Sequence, residues 1–230
     1  MDYFLQALGA ASTLIFSFDR DIYIIVWTSL YISLVAVILA SLAGIPLGLL
    51  VHFRSFPGKS MVLQLLNTLM ALPTVVVGLF LYGMLTRQGP LGDLDILYTP
   101  LAIVIGECIL ILPIIWNLSI SAAASADPRI LATCKALGAS PLQQSLLFVN
   151  EIRYALVAAV VAGFGRAVGE VGVAMMLGGN INGFTRTMTT AIALETSKGE
   201  FEFALALGLL LLATAFVVNL LLQRFQRLNR

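Results

Sequence analysis

The chain has 230 residues, 60% hydrophobic and 11% charged, with a formal net charge of +1 and a mean hydropathy of +0.99. An ordinary globular domain is about 25% charged, so this chain has too little polar surface to clothe a soluble core, and its small net charge gives no field for a polyanionic partner. A cytosolic enzyme, a nucleic-acid binder and a disordered regulator are excluded; the composition is that of an all-α, polytopic integral membrane helical bundle, with lipid around it and no nucleic acid among its partners.

In chain order, Tyr3 to Phe18 is a short apolar stretch, either a short sixth span or an interfacial helix. No basic residue precedes it, so no cleaved leader is expected. Ile22 to Val51 is the longest run, about 45 Å as a straight helix. That exceeds a hydrocarbon core of about 30 Å, so it must tilt, bend or protrude. Gly44, Pro46 and Gly48 mark where a bend would fall. Ser55 to Ser60 reads as a turn between spans, followed by Met61 to Leu85, interrupted by Pro73. Leu97 to Leu118 carries Pro113, and both prolines read as kinks. Tyr154 to Leu177 and Phe203 to Leu222 complete five transmembrane helices, and Ile181 to Glu202 reads as a hydroxyl-rich loop. The whole of 1–230 reads as one transmembrane domain.

Charge sorts the loops. Arg54, Lys59, Arg129, Lys135, Arg153, Arg224, Arg227 and Arg230 fall on one side, with only Asp127 and Glu151 against them. The other side holds mostly acids, among them Asp19, Asp21, Asp93, Asp95, Glu195, Glu200 and Glu202. The positive-inside rule makes the first side, and the C-terminus with it, cytoplasmic. The two cysteines, Cys108 and Cys134, lie in an apolar run and a polar loop, and the single histidine, His52, lies at a span end. Neither a disulfide framework nor a zinc site is expected from them.

Residues 119–153 form the longest segment on the basic side. Asp127-Pro128 reads as an N-cap with proline at the first helical position. Ile130, Leu131, Cys134 and Leu137 then share one apolar face. Gly138 stands where a left-handed residue would end the helix, and Ser140-Pro141 with Gln143 writes a capping box that starts another. The pattern is two short helices joined at a glycine elbow. It either packs on the bundle or is offered to a cytoplasmic partner. The chain has no ATPase site of its own: Gly58-Lys59-Ser60 has the tail of a phosphate-binding loop, but Phe53 stands where its first glycine belongs.

The stretch Ala132-Thr133-Cys134-Lys135-Ala136-Leu137-Gly138-Ala139-Ser140 resembles the EAA loop of the permease subunits of ABC importers. Gly138 matches the family glycine, while Ala132, Thr133 and Cys134 replace Glu-Ala-Ala, and Asn150-Glu151 replaces the later Leu-Pro. Phe164-Gly165-Arg166-Ala167-Val168-Gly169-Glu170-Val171-Gly172, then Met175 to Ile181, resembles the molybdate/tungstate branch. With Asn150 to Leu156 before it, the block is most similar to Tup-type tungstate permeases, and the resemblance covers about residues 22 to 222. It implies a homodimer in a prokaryotic plasma membrane. It further implies two cytoplasmic ABC ATPase subunits, which bind ATP and Mg and dock on Asp127, Arg129, Leu131, Ala132, Lys135, Leu137, Gly138, Ala139 and Ser140. An extracytoplasmic oxyanion-binding protein would deliver tungstate first, molybdate second, for alternating-access import. No cofactor is implied in this chain itself.

Three charges fall within membrane runs: Glu107, Arg166 and Glu170. Arg166 and Glu170 are four apart and share a helical face. Either they form a packing ion pair, with Glu107 nearby, or Arg166 lies beside the anion pathway; a gradient-driven carrier could use all three as a relay. Gly44 with Gly48 and Gly165 with Gly169 allow close helix approach. Gly178-Gly179-Asn180 reads as a helix end and turn, near the outer gate by the family resemblance. Arg186 and Thr187, among the hydroxyls of 185–190, are candidates to meet an anion or its binding protein, or simply line a solvated loop.

Overall fold

The computed structural model describes residues 2–17, 19–127 and 129–227. Among them are eleven α-helices: α1 Asp2–Phe16, α2 Arg20–Phe53, α3 Lys59–Met70, α4 Thr74–Leu85, α5 Pro100–Ala124, α6 Arg129–Ala136, α7 Pro141–Glu151, α8 Arg153–Val168, α9 Gly172–Gly178, α10 Met188–Lys198 and α11 Phe201–Arg227. A short 3₁₀ turn, Gly92–Leu94, lies between α4 and α5. Helices α2, α5 and α11 are each long and apolar enough to cross a membrane. The bent pairs α3–α4 and α7–α8 bring the number to five if each is one span. Helix α1 has 15 residues, about 22 Å, and leans on α11 with Ala7 and Ala11 buried.

Helix α2 opens on Asp19, whose carboxylate accepts from the backbone N–H groups of Asp21 and Ile22. It runs unbroken through Pro46, so the expected bend does not interrupt it. At its end the Lys59 ammonium donates to the carbonyls of His52 and Arg54 at 3.1 and 3.3 Å, supplying partners at a helix terminus that has lost its own. Pro113 likewise lies inside α5 without ending it. Pro73 does more than kink: α3 and α4 meet there at 94°.

The core is α2 against α5. Ile32, Ala36, Val37 and Ala40 face Ile103, Val104, Ile111 and Ile115, and α8 closes the third side. A Cβ on Gly48 would stand 2.6 Å from Ser119 Cβ and 2.9 Å from the Trp116 carbonyl oxygen. The two backbones therefore touch because there is no side chain between them. Gly48→Val drives the helices apart and costs about 1–3 kcal/mol, the usual range for overpacking; a lowered unfolding temperature in detergent is the readout, and an unchanged one refutes it. Outward, Trp27, Leu34, Leu42, Leu212 and Phe216 are exposed, the arrangement of helices that present apolar side chains to lipid.

Two expectations need correction. The run Tyr154 to Leu177 is not one helix: α8 ends at Val168, and α9 begins at Gly172. The stretch 181–202 is not a loop throughout, since it contains α10.

Candidate functional site

At one end of the bundle α6 and α7 build a hairpin. The Asp127 carboxylate accepts from the Arg129 N–H at 2.8 Å. Pro128, and the side chain of Leu131, lie outside the described residues. Gly138 has a φ of 75°, a conformation that glycine takes without strain. Its N–H donates to the Lys135 carbonyl and that of Ala139 to the Cys134 carbonyl, each at 3.0 Å, the paired bonds of a Schellman ending. Ser140 then exchanges bonds with Gln143 in a capping box. Gln144 Nε2 adds a bond to the Ala139 carbonyl at 2.7 Å. The elbow is a hydrogen-bonded corner, with Arg129, Ala132, Lys135 and Ser140 exposed around it.

The expected single apolar face is split. Cys134 turns inward, whereas Leu137 is 81% exposed just past the end of α6. Leu142, Leu146 and Leu147 of α7 are exposed as well. Sequence reading missed these three; their i, i+4, i+5 spacing on α7 was the available signal. Phe148 fastens the hairpin to the bundle: it is buried with Ala122, Ala123, Ile152 and Leu156, and its ring meets Phe53 of α2 edge-on at 4.8 Å.

The second cluster sits at the α8–α9 break. Gly169 caps α8, and Glu170 follows it outside either helix. The i,i+4 pair therefore forms across a helix end, not along one face. Arg166 Nη1 donates to Glu170 Oε2 at 2.6 Å, while Glu170 Oε1 accepts the Val173 N–H of α9 at 3.1 Å. The Glu170 side chain is 2% exposed and that of Arg166 38%. Glu107 of α5 is buried beside Ser33 of α2, with Glu170 and Arg166 within electrostatic reach. One glutamate thus ties α8 to α9, and one half-open guanidinium is the cation the cluster presents. Gly165 and Gly169 are exposed, and the close approach of α8 to α5 is made by Gly163 against Ile115.

The cluster continues into α10. Thr189 Oγ1 donates to the Glu170 carbonyl at 2.6 Å, and the Met188 N–H donates to Ser29 Oγ of α2 at 2.6 Å. Thr187 and Thr190 form a reciprocal cap for α10. These threonines are buried, so the expectation of a solvated hydroxyl loop is overturned: the Thr189 hydroxyl ties α10 to the break, and those of Thr187 and Thr190 are consumed in capping α10. Gly178 ends α9, and Gly179, at φ 67°, lies against the Tyr98 ring. Asn180 Nδ2 donates to the Thr190 carbonyl at 3.3 Å. Arg186 lies 3.7 Å from Glu195, which also pairs with Lys198 at 2.9 Å. Asp21, Arg186, Glu195, Lys198 and Glu200 line one shallow pocket at the end of the bundle away from the hairpin. The charge sides read from the sequence are thus the two ends of the bundle.

Full and broken apolar helices, a buried charge cluster at a helix break and a capped hairpin projecting from one end define a polytopic helical membrane protein. The chain belongs to the family of binding-protein-dependent transport system inner membrane components, whose model matches residues 44–230. It is 38% identical to the tungstate uptake system permease TupB of Peptoclostridium acidaminophilum over 226 residues, 98% of this chain and 99% of that one. It is 43% identical to a probable anion ABC transporter permease of Haloferax volcanii over 203 residues, 86% and 88% of the two chains. Campylobacter jejuni TupB is 38% identical over 99% of this chain and 95% of its own. The fold is shared with an inward-facing MetNI methionine ABC transporter, at a TM-score of 0.70 and 18% identity over 90% of this chain and 94% of that one.

Proposed function

We propose that the chain is the membrane-spanning permease of an ATP-driven ABC importer for a tetrahedral oxyanion, tungstate first and molybdate second. It works as a homodimer in a prokaryotic plasma membrane with its C-terminus in the cytoplasm, forming one transmembrane domain. Two ABC ATPase subunits, carrying ATP and Mg, grip the hairpin around Leu137 and Gly138, and a binding protein delivers the anion at the outer face.

The observation that carries this reading is the row of exposed leucines, Leu137, Leu142, Leu146 and Leu147, on a corner held rigid by its own caps. A capped helix pair with that much apolar surface at the water face is built to be covered by another protein. The near full-length likeness to tungstate permeases supports the cargo.

The chemistry asked of this chain is passage, not bond making. A dianion crossing a low-dielectric region needs a nearby cation, and a conduit must release what it admits. Arg166, half-open and already neutralised by Glu170, offers attraction without a trap. Motion of the hairpin reaches the spans through Phe148 and Phe53. Asn180 and Arg186 stand at the other end, where the binding protein would meet the chain, while Thr187 is buried in the cap of α10 and acts there only by holding that helix in place.

The test is reconstitution of permease, ATPase and binding protein in liposomes, with internal tungstate and molybdate measured by elemental analysis. Accumulation that requires ATP and all three components is expected. Accumulation by the permease alone, driven by a proton gradient, overturns the reading and turns Glu107, Arg166 and Glu170 into a relay.

A further inference from the structure

One groove at the hairpin end belongs to neither cluster. It lies where the end of α2, the turn before α3 and the flank of α5 meet, and has a volume of about 560 Å³. Leu47, Leu50, Val51, Phe56, Val62 and Trp116 line it, and Arg54 and Ser55 complete it. The walls are apolar, and the exposed Arg54 is the cation of the lining.

The two cations nearby are in different states. Lys59 is engaged, its ammonium held by the carbonyls that end α2. The Arg54 guanidinium has no hydrogen bond or ion pair among the described residues; only its backbone is bonded, to Leu50 and to Lys59. The groove thus joins an oily slot to an uncompensated positive charge. Its position at the boundary follows from the chain itself: α2 ends at Phe53, beside Phe148 of the hairpin. Water gains little along leucine and valine walls, and a soluble anion gains nothing from them. An acyl chain fills the walls while a phosphate meets the arginine. Basic pockets between membrane helices on the cytoplasmic side are suited to anionic head groups.

We propose that this groove binds an anionic phospholipid of the inner leaflet, one acyl chain lying along Leu47, Leu50, Val51 and Val62 and the phosphate on Arg54. The site rests on the hairpin end being cytoplasmic and is independent of which anion the transporter carries. Because the groove shares the end of α2 with the seat of Phe148, the lipid braces the joint through which the hairpin reaches the bundle.

The test uses the assembled transporter, purified in mild detergent and exchanged into vesicles of phosphatidylcholine with or without phosphatidylglycerol. Lipids retained on re-extraction are measured by native mass spectrometry, and ATP-driven tungstate uptake is measured on the same preparations. Phosphatidylglycerol is expected to be retained in preference to phosphatidylcholine. Arg54→Ala, at an exposed side chain without a hydrogen bond or ion pair among the described residues, lowers that preference about fivefold, the worth of one basic residue near an anionic surface. Leu50→Trp, at a wall position 52% exposed, removes retention of both lipids by filling the slot. Equal retention of the two lipids by the wild type, or a preference unchanged in Arg54→Ala, overturns the proposal. So does a Leu50→Trp chain that loses its dimer but keeps its lipid, since the groove is then covered by a second copy. Normal uptake without lipid preference defeats the lipid site alone, whereas lipid preference without uptake defeats the transport reading alone.

Discussion

Leu137→Asp abolishes ATP-driven uptake while the chain still inserts and folds. Leu137 is 81% exposed and lies outside α6, so its replacement opens no cavity and breaks no intrachain contact of consequence. What it changes is the surface proposed to receive the ATPase. Covering a leucine is worth about 1.5–3 kcal/mol, and an aspartate in the same place must give up its hydration without a partner. Together these weaken docking by at least about a hundredfold. Gly138→Pro has the same outcome by another route, because proline cannot take a φ of 75° and the elbow opens. Co-purification of the ATPase with the tagged permease checks both, alongside tungstate uptake. Normal uptake by a well-expressed Leu137→Asp chain would remove the hairpin from the coupling mechanism.

Glu170→Ala is expected to cost both stability and transport. Its carboxylate holds Arg166 on one oxygen and the first turn of α9 on the other. Removing it leaves the Arg166 guanidinium without its carboxylate and the Val173 N–H without its acceptor. Breaking a buried ion pair from one side costs about 3–5 kcal/mol. The 38% exposure of the Arg166 side chain lets water or lipid phosphate screen it, so the loss falls near the lower end. Glu170→Gln keeps an oxygen for Val173 and loses only the charge, and recovers part of the stability. The comparison is made by thermal unfolding in detergent together with uptake. Equal stability of the alanine and wild-type chains would show that Glu170 is not what joins α8 to α9.

The long helices and the hairpin were legible because their signals are local. An apolar run declares its own length. Asp127, Gly138, Ser140 and Gln143 carry the hairpin's start, elbow and restart within a few residues. The α8–α9 break was not legible from hydropathy, since apolar residues continue on both sides of it. Gly169 and Gly172, poor helix formers flanking a charge, were the available hint. The burial of the threonines was invisible for a different reason. A run of hydroxyls looks like loop until its partners are known, and Ser29, which receives the Met188 N–H, is 159 residues away. For the charge cluster, sequence put Arg166 beside Glu170 and offered Glu107 as a neighbour, but Ser33 beside Glu107 is seen only in the fold, because it comes from a helix distant in sequence.

The missing side chains at Gly44 and Gly48 have a mechanical consequence. With no room for a Cβ between them, α2 and α5 are clamped backbone to backbone along the half of the bundle nearer the hairpin. Two rods in such contact cannot shear past one another by a helical turn without lifting apart. They form a rigid beam, and any cycle of opening and closing must be absorbed at the joints on either side of it: the right-angle corner at Pro73 and the three-residue gap that Glu170 spans. In the proposed alternating-access cycle, a gate hung on those joints would swing as a hinged panel rather than slide as a piston.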